Sequence, residues 1–229
     1  MRWNGAFLDE AGPFEGKSLP SYYYISPPDP KWPEAERIRY LPPRADLFFS
    51  TVHEVWPGHF LHSLHIKQGD SQILKSLCTY SMQEGWAHYA EEMMWDAGVG
   101  NGDERLHIGQ LKEALLRNVR YLVAIGMHTG GMTIDEATKL FEEKALTDPA
   151  TARQQAVRGT FDPMYLGYTL GKLMIFRLRD YWKAKAGPAY SLKSFHDALL
   201  GYSCVPIPAI GREMFGGYLN PVVTPRSGL

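Results

Sequence analysis

The sequence predicts a mainly α protein with a short strand or small sheet near its N-terminus. From Asp46 onward, apolar residues recur at helical spacing in segments that Gly and Pro separate. Residues 1–45 are rich in Pro and Gly and show little helical periodicity. The chain therefore divides into an irregular N-terminal segment over 1–45, a helical domain over 46–216 and an irregular tail over 217–229. With 229 residues it is long enough for one large domain or two small ones.

The N-terminal strand and the first helices follow from local patterns. Residues 21–25 read S-Y-Y-Y-I, an aromatic, β-prone run that Pro27 and Pro28 end. Gly98 and Gly100 are typical of residues that follow a helix. The first helices are expected over 46–56, over 59–67 beyond a Pro-Gly pair, and over 71–97.

Five further helical segments follow. Thr133 with Glu136 forms the pattern of a capping box, and Asp148-Pro149 is a helix start. Apolar residues recur at helical spacing in the first of these segments, at Leu106, Leu111, Leu115, Val119 and Leu122. The expected helices cover 103–127, 133–144, 148–158, 163–185 and 191–200.

The charge balance argues against whole classes of partner. Lys and Arg number 24 and Asp and Glu 25, which gives a net charge of −1. This balance offers no electrostatic basis for binding nucleic acid or an anionic membrane, and no apolar run approaches the length of a membrane span. We therefore expect neither nucleic acid nor membrane as a partner.

The termini and cysteines bear on the cellular compartment. The N-terminus lacks a basic region followed by a long apolar stretch, so we expect no signal peptide and a cytoplasmic location. Cys78 and Cys204 are far apart in the sequence, and we expect two buried thiols rather than a disulfide.

The most informative segment is H-E-V-W-P-G-H at residues 53–59. In the H-E-x-x-H pattern of zinc hydrolases the histidines are four apart and share one helix face. Here His53 and His59 are six apart, or about 240° around an ideal helix. Pro57 and Gly58 lie in the gap, and both favour a helix break or bulge. We predict that the helix breaks there and resumes near His59, which would bring the two histidines together.

These residues match the requirements of a catalytic zinc site. Such sites use three His, Asp or Glu ligands and leave a fourth position for water. We predict His53, His59 and Glu84 as ligands and Glu54 as the general base, with one zinc ion per chain. The alternative is a helix that ends at Trp56 and leaves His59 as an ordinary loop residue. His62 or His65 would serve as a ligand if the break had a different geometry.

Glu84, His88 and Glu91 lie on one face of the predicted helix over 71–97. Three ionisable groups on a packed face are costly to bury unless a partner compensates them, and a metal would do so. We predict Glu91 and His88 as outer groups that hold a ligand imidazole in its tautomer. The alternative is a solvated charged face.

Amide hydrolysis also needs a group that stabilises the oxyanion. His128 stands in G-M-H-T-G-G, a stretch that we interpret as a flexible loop, and Tyr165 and Tyr168 stand in P-M-Y-L-G-Y. Arg158 lies shortly before them. Spacing alone does not choose among these four residues for substrate binding or catalysis.

Several segments together resemble one family, the bacterial "domain of unknown function 885". H-E-V-W-P-G-H-F-L-H at 53–62 is similar to its H-E-x-x-P-G-H signature, and E-G-W-A-H-Y-A-E at 84–91 is similar to its second motif. Residues 119–133 resemble its Arg-rich helix that ends in Gly-x-His, and 168–179 with 195–201 resemble its closing helices. The resemblance covers roughly residues 20 to 215.

The resemblance implies a zincin-like, mainly helical catalytic domain and a gluzincin-type zinc metallopeptidase. It implies His53, His59 and Glu84 on zinc with Glu54 as the base, and it favours His128 and Tyr168 at the oxyanion. By the same resemblance, the strand near 21–25 would pair with an extended peptide substrate through the segment that contains Tyr23 and Tyr24. From their positions in the sequence, we also predict Arg158 and Tyr165 as substrate-binding residues.

The chain departs from this family in three ways, one of which is that the segment between Arg158 and Tyr168 is one residue shorter than usual. The acidic residue that usually precedes Gly-x-His is replaced by Ala124, and family members are typically more than twice as long. A homodimer or a separate partner chain would then replace the N-terminal half. Two other functions remain open, namely a zinc-stabilised peptide-binding fragment without activity and a hydrolase of non-peptide amides or esters.

Overall fold

The computed structural model describes residues 6–16 and 19–217, and its fold is mainly α with a small N-terminal sheet, as the sequence predicts. The strands are β1 (Ala6–Asp9) and β2 (Tyr22–Ile25). The helices are α1 (Glu34–Tyr40), α2 (Arg44–Glu54), α3 (His59–Gln68), α4 (Gln72–Ser76), α5 (Tyr80–Asp96), α6 (Glu104–Thr129), α7 (Ile134–Lys144), α8 (Pro149–Gly159), α9 (Gly167–Ala186), α10 (Leu192–Leu200) and α11 (Ile207–Phe215). Among the described residues, no helix combines the length and apolar character that crossing a membrane requires.

The predicted strand near 21–25 is confirmed as β2, and it pairs with β1 in antiparallel register. Ala6 lies opposite Ile25 and Asp9 opposite Tyr22. The sheet is held against α2, because the Tyr23 hydroxyl accepts a hydrogen bond of 3.2 Å from Thr51. On the other strand, the Leu8 N–H donates to Glu54 at 3.2 Å. The sheet therefore covers one side of the H-E-V-W-P-G-H segment.

The predicted helix break at Pro57-Gly58 is also confirmed. Helix α2 ends at Glu54, the Trp56–Pro57 peptide bond is cis, and α3 begins at His59. The Gly58 N–H turns back and donates to the Val52 carbonyl at 3.0 Å. A Cβ on Gly58 would lie only 1.8 Å from the His53 carbonyl oxygen. The chain can therefore fold back on the end of α2 only because this residue has no side chain.

Helices α5 and α9 form the centre of the larger core. Gly85 of α5 faces Gly171 of α9, and a Cβ on Gly171 would lie 1.8 Å from the Ser81 carbonyl oxygen. This close approach lets large side chains interlock on either side of the glycines. The buried core includes Met82, Trp86, Tyr89, Ile175, Phe195 and Leu199. The position of α5, and with it that of Glu84, is therefore fixed by packing.

Helix α6 joins this core to a second one with α7 and α8. Val123, Phe141 and Tyr165 are among its fully buried residues. The predicted capping box at Thr133 and Glu136 is confirmed at the start of α7. At the other end of α6, Gly109 packs against Ala45 of α2, since a Cβ there would lie 2.7 Å from the Ala45 Cβ. Helix α6 thus runs along the back of α2.

Two predictions about the cysteines and the second helix are wrong. Cys78 and Cys204 form a disulfide rather than two buried thiols, across a sequence separation of 126. The chain around Cys78 is extended, and the Thr79 N–H donates to the Cys204 carbonyl at 2.8 Å. The expected helix over 71–97 is therefore two helices, α4 and α5. A pairing between segments so far apart leaves no local periodic signal in the sequence.

Smaller differences occur elsewhere. Helix α1 lies within the segment predicted to be irregular, and α11 was not predicted. Residues 163–166 form a 3₁₀ turn, so that α9 begins at Gly167 rather than at Pro163. In the predicted tail over 217–229, residues 218–229 lie outside the described residues.

Candidate metal centre

The helix break brings together the two histidines that the sequence separates by six positions. His53 lies in the last turn of α2 and His59 is the first residue of α3, and their ring centroids are 4.8 Å apart. The Nε2 atom of each ring lies 3.3 Å from the Oε2 atom of Glu84 on α5. Three candidate ligand atoms from three helices therefore face one point.

This arrangement fits a tetrahedral metal ion. Zn²⁺ binds such atoms at roughly 2.0–2.1 Å, so two ligands of one tetrahedral ion lie about 3.3 Å apart. The same separation is long for a charge-assisted hydrogen bond, which is about 2.7–2.9 Å. Glu84 Oε2 is buried and has no hydrogen-bond partner among the described residues. A metal ion would satisfy this oxygen and both imidazoles together.

Two glutamates compete for the role of third ligand. His53, Glu54 and His59 also offer three ligand atoms within 4.8 Å of one another. However, Glu54 accepts the Leu8 N–H and lines the cavities beside the histidines, whereas Glu84 lies equally close to both rings. We therefore assign Glu84 as the better ligand, with Glu54 as the carboxylate beside it.

Glu91 and Arg117 lie on the Nδ1 side of the His53 ring, away from the candidate ligand atom Nε2. His53 Nδ1 donates a hydrogen bond of 2.7 Å to Glu91 Oε1, and the same oxygen lies 3.0 Å from the Arg117 guanidinium. Arg117 also forms an ion pair of 2.9 Å with Glu113. A carboxylate on Nδ1 fixes the tautomer in which Nε2 is free to bind a metal. The predicted outer role of Glu91 thus has a matching geometry.

The electrostatics of this cluster are strongly coupled. Burial and the nearby Arg117 lower the pKa of His53, but its contacts with Glu84 and Glu91 outweigh them and raise this pKa to about 9. Burial raises the pKa of Glu84, yet His59 and His53 hold it well below its usual value. Likewise, burial opposes but Arg117 and His53 dominate at Glu91, whose pKa is lowered. The carboxylates are therefore charged at neutral pH, and a bound cation would replace the proton on His53.

His88 lies beside this cluster, next to Glu91. Its Nδ1 lies 3.6 Å from Glu91 Oε2, and neither ring nitrogen has a hydrogen bond among the described residues. Burial, and secondly Lys172, lower its pKa to about 3. His88 is therefore a neutral neighbour of Glu91, and of the two predicted outer residues Glu91 is the one that hydrogen-bonds to a ligand imidazole.

Tyr168 and Arg158 reach the site, together with Tyr80, which the sequence did not single out. The Tyr168 ring stacks on His53 with centroids 6.3 Å apart. Arg158 donates to the Tyr80 hydroxyl at 2.9 Å, and Tyr80 donates to the Tyr168 hydroxyl at 3.0 Å. All three residues line a cavity of about 300 Å³ together with the predicted ligands and Glu54.

Two other candidates lie away from this cavity. His128 is in the last turn of α6 rather than in a loop, and its Nε2 hydrogen-bonds to the Gly159 carbonyl at 2.9 Å. Tyr165 is fully buried, and its hydroxyl donates to Gln155. His128 thus fastens α6 to the end of α8, and Tyr165 fills the core between them. Neither is placed for the oxyanion or substrate role assigned from the sequence.

The two tyrosines of the strand are also displaced from the site. The Tyr23 hydroxyl is hydrogen-bonded to Thr51, while the exposed Tyr24 ring stacks on that of Phe7 with centroids 5.0 Å apart. It is β1 that runs beside the metal residues, since Ala6, Phe7 and Leu8 line the cavity. The strand predicted to bind substrate is therefore one strand removed from it.

His62 offers no alternative ligand. It is buried, and its Nε2–H donates to the Ser203 carbonyl at 3.0 Å, beside Trp86.

The sequence reasoning missed Arg117, Arg120 and Tyr80, and of these the two arginines carry a weak signal in the sequence. Arg117 and Arg120 are three apart on the face of α6 that also carries buried Val123 and Ala124. Arginines on a buried face are uncommon unless paired, and they mark a polar site.

Solved structures of longer bacterial proteins share the fold of this chain. The chain superimposes on a protein from Shewanella oneidensis, described as a "putative lipoprotein of unknown function", with a TM-score of 0.82 and 26% identity. A "putative lipoprotein" from Colwellia psychrerythraea gives a TM-score of 0.76 and 30% identity. The matches cover 91% and 85% of this chain, but only 38% and 32% of those proteins.

The chain thus spans well under half the length of these relatives. No curated protein matches it. The profile of the bacterial proteins of unknown function DUF885, however, matches residues 2–214, which include both candidate metal motifs and every helix of the domain but the end of α11. On this match, the chain belongs to the DUF885 family.

Proposed function

We propose that this protein is a zinc-dependent metallopeptidase of gluzincin type that binds one zinc ion per chain. The observation that carries the proposal is the pair of 3.3 Å separations between Glu84 Oε2 and the Nε2 atoms of His53 and His59. These separations match the edges of a tetrahedral zinc site, and a glutamate that can act as a base follows His53 directly.

Each residue then has a defined role. A zinc ion held by His53, His59 and Glu84 would polarise a water molecule and lower its pKa toward neutrality. Glu54 would take a proton from that water as its oxygen bonds to the substrate carbonyl carbon, and would deliver this proton to the amine nitrogen as the C–N bond breaks. The Tyr168 hydroxyl accepts from Tyr80, so its own proton is available to the oxyanion that develops on the substrate carbonyl.

The sheet supports a peptide as the substrate. Leu8 is on β1, and its N–H points away from β2 toward Glu54. The outer edge of β1 therefore faces the metal residues, where an extended peptide could add as a further strand. This assignment moves the substrate-binding role from β2, where the sequence predicted it, to β1.

Metal analysis combined with one substitution tests the proposal. Protein reconstituted with zinc should hold about one ion per chain by elemental analysis. Glu54→Gln should keep that ion and lose roughly 10²- to 10⁴-fold in peptide turnover. The exposed Glu213 on α11 supplies a control, since Glu213→Gln should leave both quantities unchanged. Undiminished turnover by metal-free Glu54→Gln protein would overturn the proposal.

The partial coverage of the longer relatives favours one alternative, a zinc-stabilised fragment that binds peptides without cutting them. Incubation with a mixed peptide library separates the two, because only the peptidase yields new fragments detectable by mass spectrometry. Cleavage of small amides or esters but of no peptide would instead indicate a non-peptide hydrolase.

A further inference from the structure

We propose that Arg120 is the recognition residue for a carboxylate group of the substrate, so that the enzyme prefers peptides with an anionic group near the cleaved bond. This inference rests on the proposed peptidase function and names its substrate class. It starts from a second, larger cavity of about 1080 Å³ that adjoins the metal residues and is lined by His53, Glu54, Arg120 and Tyr168.

The cations around this cavity differ in how they are compensated. Lys112 pairs with Asp46 at 2.9 Å, and Arg158 pairs with Asp162 at 3.0 Å. Arg117 pairs with Glu91 at 3.0 Å and with Glu113 at 2.9 Å. Each of these three side chains has a carboxylate partner and needs no anion from a ligand.

Arg120 has none among the described residues. Its Nε donates to the neutral Gln155 side chain at 3.0 Å, and its guanidinium carbon lies 5.0 Å from the ring centres of both Tyr165 and Tyr168. Yet only 9% of this residue is exposed. Burying a cation is costly without an opposite charge, and two aromatic faces offset only part of that cost. A carboxylate entering the cavity would complete the pairing.

Arg120 is also held in place before any ligand arrives. Gln155 Oε1 accepts hydrogen bonds both from Arg120 and from the Tyr165 hydroxyl. The Tyr165 ring in turn contacts Arg158, whose guanidinium carbon lies 4.7 Å from the ring centre. A guanidinium fixed between two rings and an amide loses little side-chain entropy when it binds a carboxylate in a two-point contact. The subsite is therefore built by packing rather than by a mobile surface arginine.

The distance to the metal residues limits how far the carboxylate can be from the cleaved bond. The His53 ring lies 6.3 Å from the Tyr168 ring, which lies 5.0 Å from the Arg120 guanidinium, so the two ends are separated by at most roughly three extended residues. A free C-terminal carboxylate at that distance would make the enzyme release short pieces from the peptide end. An aspartate or glutamate side chain would supply the same chemistry within a longer peptide.

Three matched peptides distinguish these sources. They share one sequence of neutral residues and end in a free carboxylate, in an amide, or in an amide with one glutamate added near the end. With zinc-loaded wild-type protein, we expect kcat/KM to be about 10- to 100-fold higher for one of the two anionic peptides than for the neutral amide. A preference for the free carboxylate identifies the C-terminus, and a preference for the glutamate peptide identifies the side chain.

Arg120→Gln should remove this preference by raising KM for the anionic peptide while leaving the neutral peptide nearly unaffected. A general disturbance of Tyr168 would instead lower kcat/KM for the anionic and the neutral peptides alike, so the neutral peptide serves as the internal control. Arg153→Gln, at an exposed arginine on α8, should retain the preference. If Arg120→Gln unfolds, calorimetric binding of the three peptides to zinc-loaded Glu54→Gln protein gives the same comparison.

The failure of this inference is distinct from that of the proposed function. Cleavage of all three peptides at equal rates would overturn the role of Arg120 and leave the peptidase intact. If no peptide is cleaved but the anionic one binds more tightly through Arg120, the subsite stands and the peptidase fails. If no peptide is cleaved and none binds preferentially, both the role of Arg120 and the peptidase function are overturned.

Discussion

At the scale of single residues, the candidate metal centre depends on buried charges that the helices bring together. Glu91 is fully buried, yet it carries a full charge because Arg117 and His53 both bind it. Removal of one partner would leave the buried carboxylate with only the other to compensate its charge. The outer residues therefore matter for metal affinity as well as for stability.

Glu91→Gln tests this dependence. The amide keeps the shape of the side chain but removes its negative charge. That charge compensates Arg117 and makes the His53 imidazole a more basic metal ligand. We expect zinc affinity to fall by about 10- to 100-fold, as measured by competition with a chelator of known affinity.

The neighbouring Glu92 provides the control for this substitution. It is the next residue on the same helix, and it forms an ion pair of 2.5 Å with Lys172 instead of contacting a predicted metal ligand. Glu92→Gln should bind zinc like the wild type. Equal affinity for all three proteins would show that Glu91 does not support the metal.

His62 should make the fold sensitive to acid. Burial lowers its pKa to about 4 from the value of 6.5 expected in the unfolded chain. Below pH 6.5 the unfolded state therefore binds more protons than the folded one, so stability is complete above that pH and is lost as the pH falls toward 4. The contribution of one such histidine is about 1.4 kcal/mol per pH unit.

Denaturant unfolding between pH 7 and pH 4.5 measures this slope. Replacement of His62 by Gln should destabilise the protein at pH 7, because the hydrogen bond to Ser203 is disturbed, but should flatten the decline in the free energy of unfolding toward acid. An unchanged slope in the variant would assign the acid sensitivity to other groups.

At the scale of elements, the break between α2 and α3 converts an unfavourable spacing into a site. The sequence predicts this break because Pro57 and Gly58 disfavour a continuous helix, and the structure places His53 and His59 together for that reason. The sequence could not predict the position of Glu91 against Arg117, because that contact depends on how α5 and α6 pack. His128 was predicted to lie in a loop because glycines surround it, but α6 continues through His128 to Thr129.

Gly58→Ala should therefore abolish zinc binding. A Cβ at this position would lie 1.8 Å from the His53 carbonyl oxygen and 2.6 Å from that of Val52, so the chain could not turn back at the end of α2. Loss of the turn moves His59 away from Glu84. Elemental analysis after zinc loading and dialysis measures the effect.

The glycine at the opposite end of α3 is the matched control. A Cβ on Gly69 would come no closer than 3.4 Å to the Ile66 carbonyl oxygen, and its backbone is extended. Gly69→Ala should therefore bind one zinc ion. Full zinc occupancy in Gly58→Ala protein would mean that the site tolerates another path for the chain.

At the scale of the whole molecule, the disulfide joins two parts of the chain that are far apart in the sequence. Cys78–Cys204 ties the start of α5 to the loop between α10 and α11. Disulfides persist mainly in oxidising compartments, whereas the sequence led us to expect two reduced thiols. The cytoplasmic location expected from the sequence stays a prediction.

The outer face of α6 bears on the expectation of a homodimer or partner chain. Five large aliphatic side chains on this face are 40–64% exposed: Ile108, Leu111, Leu115, Leu122 and Ile125. With the exposed Asn118 and Thr129 they alternate by three and four positions over the whole helix. This is the a/d spacing of a helix that packs against another helix in a coiled coil. We call these seven residues the α6 seam.

The α6 seam is complementary to itself. Asn118 is its central position, with three seam residues on either side. A second copy related by a two-fold axis through Asn118 would run antiparallel and place Leu115 against Leu122, and Leu111 against Ile125. The Asn118 side-chain oxygen accepts a hydrogen bond of 3.0 Å from Thr169, so its NH₂ group would make the contact with the counterpart, and a central Asn is a known determinant of register. The seam therefore fits a second copy of this chain better than an arbitrary helix.

We expect the protein to form a dimer through the α6 seam, measurable by light scattering during size-exclusion chromatography. Leu115→Glu should give a monomer, because it places a charge against an apolar residue twice in the interface. In an antiparallel dimer residue 115 meets residue 122 of the other copy, so Leu115→Glu combined with Leu122→Lys should restore association, whereas a parallel pair would oppose like charges. Ile73→Glu, at an exposed residue of α4, should not affect the dimer. A wild-type monomer at high concentration would rule out self-pairing and leave the seam to a different chain.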